Sequence, residues 1–133
     1  KFRSMLIDTP DVATHLLENP DRYLLKIGKL IRKLSLDELP NLINIIKGDM
    51  VFVGPRPALY NQGDLMQLRI AAEVDKLKPG LTGWAQINGR DEISIYKKVK
   101  LEEEYMEKKS FWFDIKILWM TFKKVFTKSG VKH

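Results

Sequence analysis

Leu36-Asp37-Glu38-Leu39-Pro40-Asn41-Leu42-Ile43-Asn44-Ile45-Ile46-Lys47-Gly48 runs on through Asp49-Met50-Val51-Phe52-Val53 into Gly54-Pro55-Arg56-Pro57. The span from Leu36 to Lys47 is nearly continuous in apolar residues, and Gly48 supplies the residue that commonly ends a helix. This predicts a buried helix. Its start has two readings, because Ser35 and Glu38 form a capping-box pattern while Asp37 as cap places Pro40 safely in the first turn. Both put Asp37 and Glu38 at the helix N-terminus. Met50 to Val53 is β-prone, and the glycine and two prolines that follow end it in a stiff loop.

Working outward, residues 21–34 place Leu24, Ile27, Leu30, Ile31 and Leu34 at helical spacing among Arg22, Lys26, Lys29, Arg32 and Lys33, which predicts a basic amphipathic helix. Tyr60 to Leu77 can be helical. Lys78-Pro79-Gly80-Leu81-Thr82-Gly83 then breaks the chain, and Ser94–Lys109 and Phe111–Lys128 read as two further helices. No repeat or low-complexity linker interrupts the pattern. The expected fold class is α/β, a helix-rich single domain over residues 1–133 with little β structure.

The bulk composition restricts the partners. The 133 residues are 44% hydrophobic and 30% charged, an ordinary globular balance for one modest core. Lys and Arg number 23 against 17 Asp and Glu, and the pI is near 9.5, so phosphate-bearing partners are favoured. Cysteine is absent, which excludes disulfides and thiolate metal sites. His15 and His133 do not form a local zinc motif. No apolar run reaches the roughly 18–20 residues of a membrane span. The start at Lys1-Phe2-Arg3, without Met, suggests a piece of a longer chain.

Adjacent carboxylates repel, and a divalent cation offsets that repulsion well. Mg²⁺ is held by one or two carboxylates plus substrate phosphates, so Asp37 and Glu38 are candidate ligands for Mg²⁺ beside a nucleotide pyrophosphate, set against the plainer role of helix caps. Arg56 lies between two prolines that stiffen its backbone, which suits bidentate phosphate recognition. Arg32 on the preceding basic helix is a second candidate for substrate phosphate. Gly80, Gly83 and Gly89 permit close backbone approach, and Gly89-Arg90 is a candidate nucleotide-binding loop, although ordinary turns use the same residues.

On the last helix Phe111, Trp112, Ile115, Leu118, Trp119, Phe122, Val125 and Phe126 fall on one face at 100° per residue, the face expected to pack on the core. The other side mixes Lys116, Lys123, Lys124 and Lys128 with Phe113, Ile117 and Met120. That mixture suits an anionic membrane interface, with Phe113, Ile117 and Lys124 as expected contacts.

Ser35-Leu36-Asp37-Glu38-Leu39-Pro40-Asn41-Leu42, Lys47-Gly48-Asp49-Met50, Val53-Gly54-Pro55-Arg56-Pro57, the run Pro79 to Arg90 and Phe113-Asp114-Ile115-Lys116 together resemble the bacterial sugar transferase family, monotopic polyprenyl-phosphate phosphoglycosyl transferases of the undecaprenyl-phosphate galactose phosphotransferase type. The resemblance implies a membrane-associated catalytic domain, here without the re-entrant N-terminal membrane helix that members carry upstream. It further implies that Asp37 attacks the sugar-bearing phosphate of a UDP-sugar, releases UMP and holds the phosphosugar until polyprenyl phosphate takes it. Glu38 would hold the metal or assist the incoming phosphate. The setting implied is the cytoplasmic face of a bacterial inner membrane, in glycan, capsule or exopolysaccharide assembly and without nucleic acid. Two rivals make different predictions: a nonenzymatic basic module that binds nucleic acid or anionic lipid releases no UMP, and a nucleotide-sugar hydrolase releases it without a lipid acceptor.

Overall fold

The computed structural model describes residues 2–12, 16–89 and 93–128, which fall into two compact units, one ending at Asn44 and one beginning at Ile45. The α/β class and the helix-rich content hold. Helix α1 spans Gly28–Lys33, α2 Asn41–Lys47, α3 Gly63–Ala71, α4 Trp84–Asn88, α5 Ile95–Lys108 and α6 Phe111–Lys128, with strands β1 at Val51–Val53 and β2 at Gly80–Thr82.

In the first unit the basic amphipathic segment is shorter than its periodicity predicts. It divides into a 3₁₀ turn at Pro20–Tyr23 and the six-residue α1. The N-terminal stretch lies against it: Met5 bridges Leu24, and the Leu25 N–H donates to the Ser4 carbonyl at 3.0 Å. Gly28 is required at this crossing, since a Cβ there would fall 2.2 Å from the Ser4 carbonyl oxygen.

The single helix expected from Leu36 to Lys47 is broken in two. Leu36–Glu38 forms a 3₁₀ turn, and α2 starts only at Asn41. Pro40 is the cause. A continuous α-helix would need its N–H to reach the Leu36 carbonyl; proline has none, and the Leu39 N–H takes that carbonyl instead at 3.3 Å. Nor is α2 buried, with Ile43 exposed and Ile46 85% exposed.

In the second unit β1 and β2 pair in parallel, Val51 opposite Gly80 and Val53 opposite Thr82. Parallel neighbours need a crossover, which the segment containing α3 provides. The stretch read as a simple break between Lys78 and Gly83 is therefore half of the sheet. One core packs Val53, Tyr105 and Ile117 with Leu77, Trp84, Ile87, Phe113 and Leu118. A second packs Leu65, Val74 and Val99 between α3 and α5. Ser94 caps α5, its Oγ accepting from the Lys97 N–H at 3.2 Å.

Helix α6 packs mainly with residues of the face expected outside, although Leu118 of the expected core stripe joins the core. Ile117 is 0% exposed, Phe113 lies on the same core, and the half-buried Lys124 donates to the Ile87 carbonyl at 2.8 Å. The expected membrane contacts Phe113, Ile117 and Lys124 are thus interior or hydrogen-bonded residues. Trp112 and Trp119, assigned to the core, are 77% and 66% exposed, and Phe111, Phe122 and Phe126 are exposed with them. The inward polar groups explain the choice, because each has a partner: the Thr121 hydroxyl meets that of Thr82 at 2.7 Å, and Asp114 accepts from the Tyr105 hydroxyl.

Candidate active site

Asp37 and Glu38 share the 3₁₀ turn of the first unit. Helix α1 ends at Lys33, and Ser35 turns the chain with φ 54° and ψ 24°, a left-handed conformation that costs a non-glycine residue about 1–2 kcal/mol. The strained residue thus stands two positions before Asp37. Its hydroxyl makes no capping bond; its carbonyl accepts the Glu38 N–H at 3.2 Å and so closes the turn. The Ser35 capping box does not form, and the two carboxylates precede the first residue of α2. The main-chain carbonyl of Asp37 accepts the Phe2 N–H at 2.8 Å. Asp37 is 4% exposed and Glu38 half-buried. Packed against this turn, α1 carries Arg32, whose Nε donates to the buried Ser4 hydroxyl at 2.8 Å. That bond orients the guanidinium and leaves its two terminal amino groups to donate elsewhere.

Arg56 belongs to the second unit, where the loop after β1 is pinned to β2 by two main-chain bonds. The Gly54 N–H donates to the Thr82 carbonyl and the Gly80 N–H to the Pro55 carbonyl, each at 2.9 Å. Such proximity requires glycine. A Cβ on Gly80 would lie 2.1 Å from the Gly54 nitrogen, and one on Gly83 2.2 Å from the Gly54 oxygen. Arg56 projects half-buried from this clamp into a cleft lined also by Trp84, Gln86, Lys98, Glu102 and Tyr105.

The cleft walls are firmly held. The Trp84 indole N–H donates to Glu104 at 3.0 Å, and its ring lies 5.1 Å from that of Phe113. The Lys108 hydrogen bond, and then that of Trp84, hold the Glu104 carboxyl below its ordinary range. The Tyr105 hydroxyl lies 2.7 Å from Asp114 and 3.2 Å from the Val53 carbonyl. Burial first, and then the hydrogen bond and charge of Asp114, push the Tyr105 pKa well upward, so the phenol stays protonated and donating at neutral pH. Behind the cleft Arg69 and Glu102 form a buried two-pronged pair, Nε to Oε2 at 2.8 Å and a terminal nitrogen to Oε1 at 2.5 Å.

The profile of the bacterial sugar transferase family matches residues 1–128. The chain belongs to that family. An uncharacterized sugar transferase of Bacillus subtilis, EpsL, is 48% identical over the whole chain, which spans 64% of that protein. The undecaprenyl-phosphate glucose phosphotransferase of Komagataeibacter xylinus is 41% identical over 93% of the chain and 25% of its own length. For the UDP-glucose:undecaprenyl-phosphate glucose-1-phosphate transferase of Escherichia coli the identity is 42%, over 91% of the chain and 28% of that protein.

Within this sugar transferase chain, Asp37 and Glu38 lie on the turn that packs against α1, the helix that carries Arg32, and Arg56 stands in the cleft of the second unit. Gly89 follows α4 where a Cβ would meet the Ile93 side chain at 2.3 Å, so the nucleotide loop expected at Gly89-Arg90 needs glycine for packing; Arg90 itself lies outside the described residues. Sequence reasoning passed over Lys98, Trp84, Tyr105 and the Arg69–Glu102 pair. A signal existed for the pair: Glu102 occupies the same helical stripe as Val99 and Tyr105, and a carboxylate on an apolar stripe calls for a buried cation.

The donor set suits a hard cation. Asp37 and Glu38 are consecutive carboxylates on one turn, and among the described residues no group of three or more His, Cys, Asp or Glu could hold a metal ion by itself. Such a pair fits Mg²⁺ that takes the rest of its ligands from phosphates and water.

Proposed function

We propose that the protein transfers a sugar 1-phosphate from a UDP-sugar to polyprenyl phosphate and releases UMP, with Asp37 as a covalent relay. The family match over residues 1–128 carries this reading, supported by relatives whose names specify undecaprenyl phosphate as acceptor. In the first step an Asp37 carboxylate oxygen attacks the sugar-bearing phosphorus, the bridging P–O bond breaks, and UMP departs with the bond's electron pair. In the second an oxygen of polyprenyl phosphate attacks the same phosphorus, and the Asp37 carboxylate leaves unchanged. The products are UMP and a polyprenyl diphosphate sugar. Splitting the exchange this way lets one carboxylate serve both substrates in turn. Asp37 and Glu38 would hold Mg²⁺, which when bound screens the charge of the phosphates facing them.

The experiment is UMP release by the full-length enzyme in detergent, across a panel of UDP-sugars, with polyprenyl phosphate and Mg²⁺. Sustained release only with acceptor is the expected result; sustained release without acceptor would make the protein a hydrolase, and none from any donor would reject both. In this assay Arg56→Lys should lower kcat/KM by roughly tenfold or more, because an ammonium cannot reproduce the bidentate fork. Turnover near that of the wild type would remove Arg56 from phosphate recognition.

A lipid acceptor calls for contact with the cytoplasmic face of the bacterial inner membrane, the setting for glycan or exopolysaccharide assembly. None of the described helices is long and apolar enough to cross a membrane. Helix α6 instead exposes Trp112, Trp119, Phe122 and Phe126 in line, with Lys116 and Lys123 also exposed, the composition of a helix lying in the interface. Replacing Trp119 and Phe122 together by Ser should weaken binding of the full-length protein to anionic vesicles by roughly tenfold while leaving its melting temperature in place. Unchanged co-sedimentation would assign the face to another partner.

A further inference from the structure

Among the described residues, two cations in the cleft of the second unit have no counter-charge. Arg56 and Lys98 both line it, both are half-buried, and neither side chain has a hydrogen bond or ion pair with another described residue. For Lys98 this is unexpected. Glu102 lies four residues on along α5 and lines the same cleft, and a lysine and glutamate at that spacing ordinarily pair. Here Arg69 occupies both Glu102 carboxylate oxygens from the side of α3, through Nε and a terminal nitrogen. Glu102 is therefore neutralised from behind, and the ammonium of Lys98 is left to the cleft. With the buried pair self-compensated, the exposed lining carries two positive charges, from Arg56 and Lys98.

We propose that Lys98 is a second phosphate-binding residue, acting with Arg56 on one phosphoryl group held in this cleft, with the Arg69–Glu102 pair as the device that keeps it available. A half-buried, uncompensated cation pair is costly to maintain unless an anion completes it. The walls suit a phosphate that carries a larger group, since Trp84 and Tyr105 give the cleft aromatic flanks. The inference rests on the reaction proposed above for the choice of ligand: the phosphoryl group belongs either to the nucleotide diphosphate or to the prenyl phosphate acceptor.

The test measures binding without turnover, by calorimetry on the full-length protein in detergent with Mg²⁺. The probes are inorganic pyrophosphate, UDP, uridine and farnesyl phosphate; the variants are Lys98→Gln, Lys98→Arg and, as a charge control on the same helix, Lys97→Gln. We expect Lys98→Gln to weaken a phosphate-bearing probe roughly tenfold, Lys98→Arg to restore most of it, and Lys97→Gln to change it by less than about twofold. Equal loss for pyrophosphate and UDP, with uridine unaffected, places the nucleotide diphosphate in the cleft; loss for farnesyl phosphate alone places the acceptor there. Lys98→Gln indistinguishable from Lys97→Gln on every probe, or no phosphate binding by the wild type, overturns the proposal. Failure of the reaction reading gives a different pattern: pyrophosphate affinity would still depend on Lys98 while no UDP-sugar yielded UMP.

Discussion

Full-length enzyme incubated with a UDP-sugar and Mg²⁺ but no lipid should release one UMP per active site and become heavier by one phosphosugar, and Asp37→Asn should abolish both. An amide oxygen is a poor nucleophile and a weak ligand for a hard cation, so turnover should fall by roughly 10⁴-fold or more. The fold should survive. Main-chain bonds help shape the turn, Glu38 N–H to the Ser35 carbonyl and Phe2 N–H to that of Asp37, and Asn preserves the side-chain volume and an accepting oxygen at a site only 4% exposed. A stability loss within about 1–2 kcal/mol is expected, measured by denaturant titration. Lost chemistry with a retained fold separates a nucleophile from a structural carboxylate. Glu38→Gln should slow turnover by about a hundredfold yet leave the adduct detectable by mass. An adduct on another residue, or one formed by Asp37→Asn, would end the assignment.

The second large effect concerns stability. Glu102→Gln should destabilise the protein by about 3–5 kcal/mol, because it strands the Arg69 guanidinium as an uncompensated charge between α3 and α5. Exposed pairs such as Lys76–Glu73 are worth little by comparison, since water solvates either partner alone. Replacing both members, Arg69→Met with Glu102→Leu, should recover most of the loss, because two apolar side chains can fill the site without a desolvated charge. Equilibrium unfolding of the two variants beside the wild type measures this directly. A Glu102→Gln protein as stable as the wild type would show that water reaches Arg69, and the pair would no longer account for the uncompensated Lys98.

Local chemistry was legible wherever a residue's own backbone rules decide the outcome. Gly48 ends α2 at φ +84°, and the Gly-Pro-Arg-Pro loop stops β1 and presents Arg56. The family resemblance, carried by motif order and spacing, was legible for the same reason, and it singled out Asp37 and Glu38 by their place in a motif rather than by packing. The Pro40 break could also have been foreseen: the missing N–H was visible, but the apolar run around it outweighed that signal.

By itself, then, the sequence determined the α/β class, the two long C-terminal helices, the stiff Pro-Arg-Pro loop, the basic character and the family. Only the tertiary structure decided which face of α6 is inside, because hydrophobicity alone favours burying the more aromatic stripe, whereas the hydroxyl of Thr121, the carboxyl of Asp114 and the ammonium of Lys124 each found a partner on the inner side. It alone joined Gly80–Thr82 to Val51–Val53, since parallel pairing across a crossover leaves no local signature. The same holds for Arg69 and Glu102, which stand 33 residues apart. Their charges cancel only when α3 packs on α5, and that cancellation leaves Lys98 facing the cleft without Glu102 as its partner.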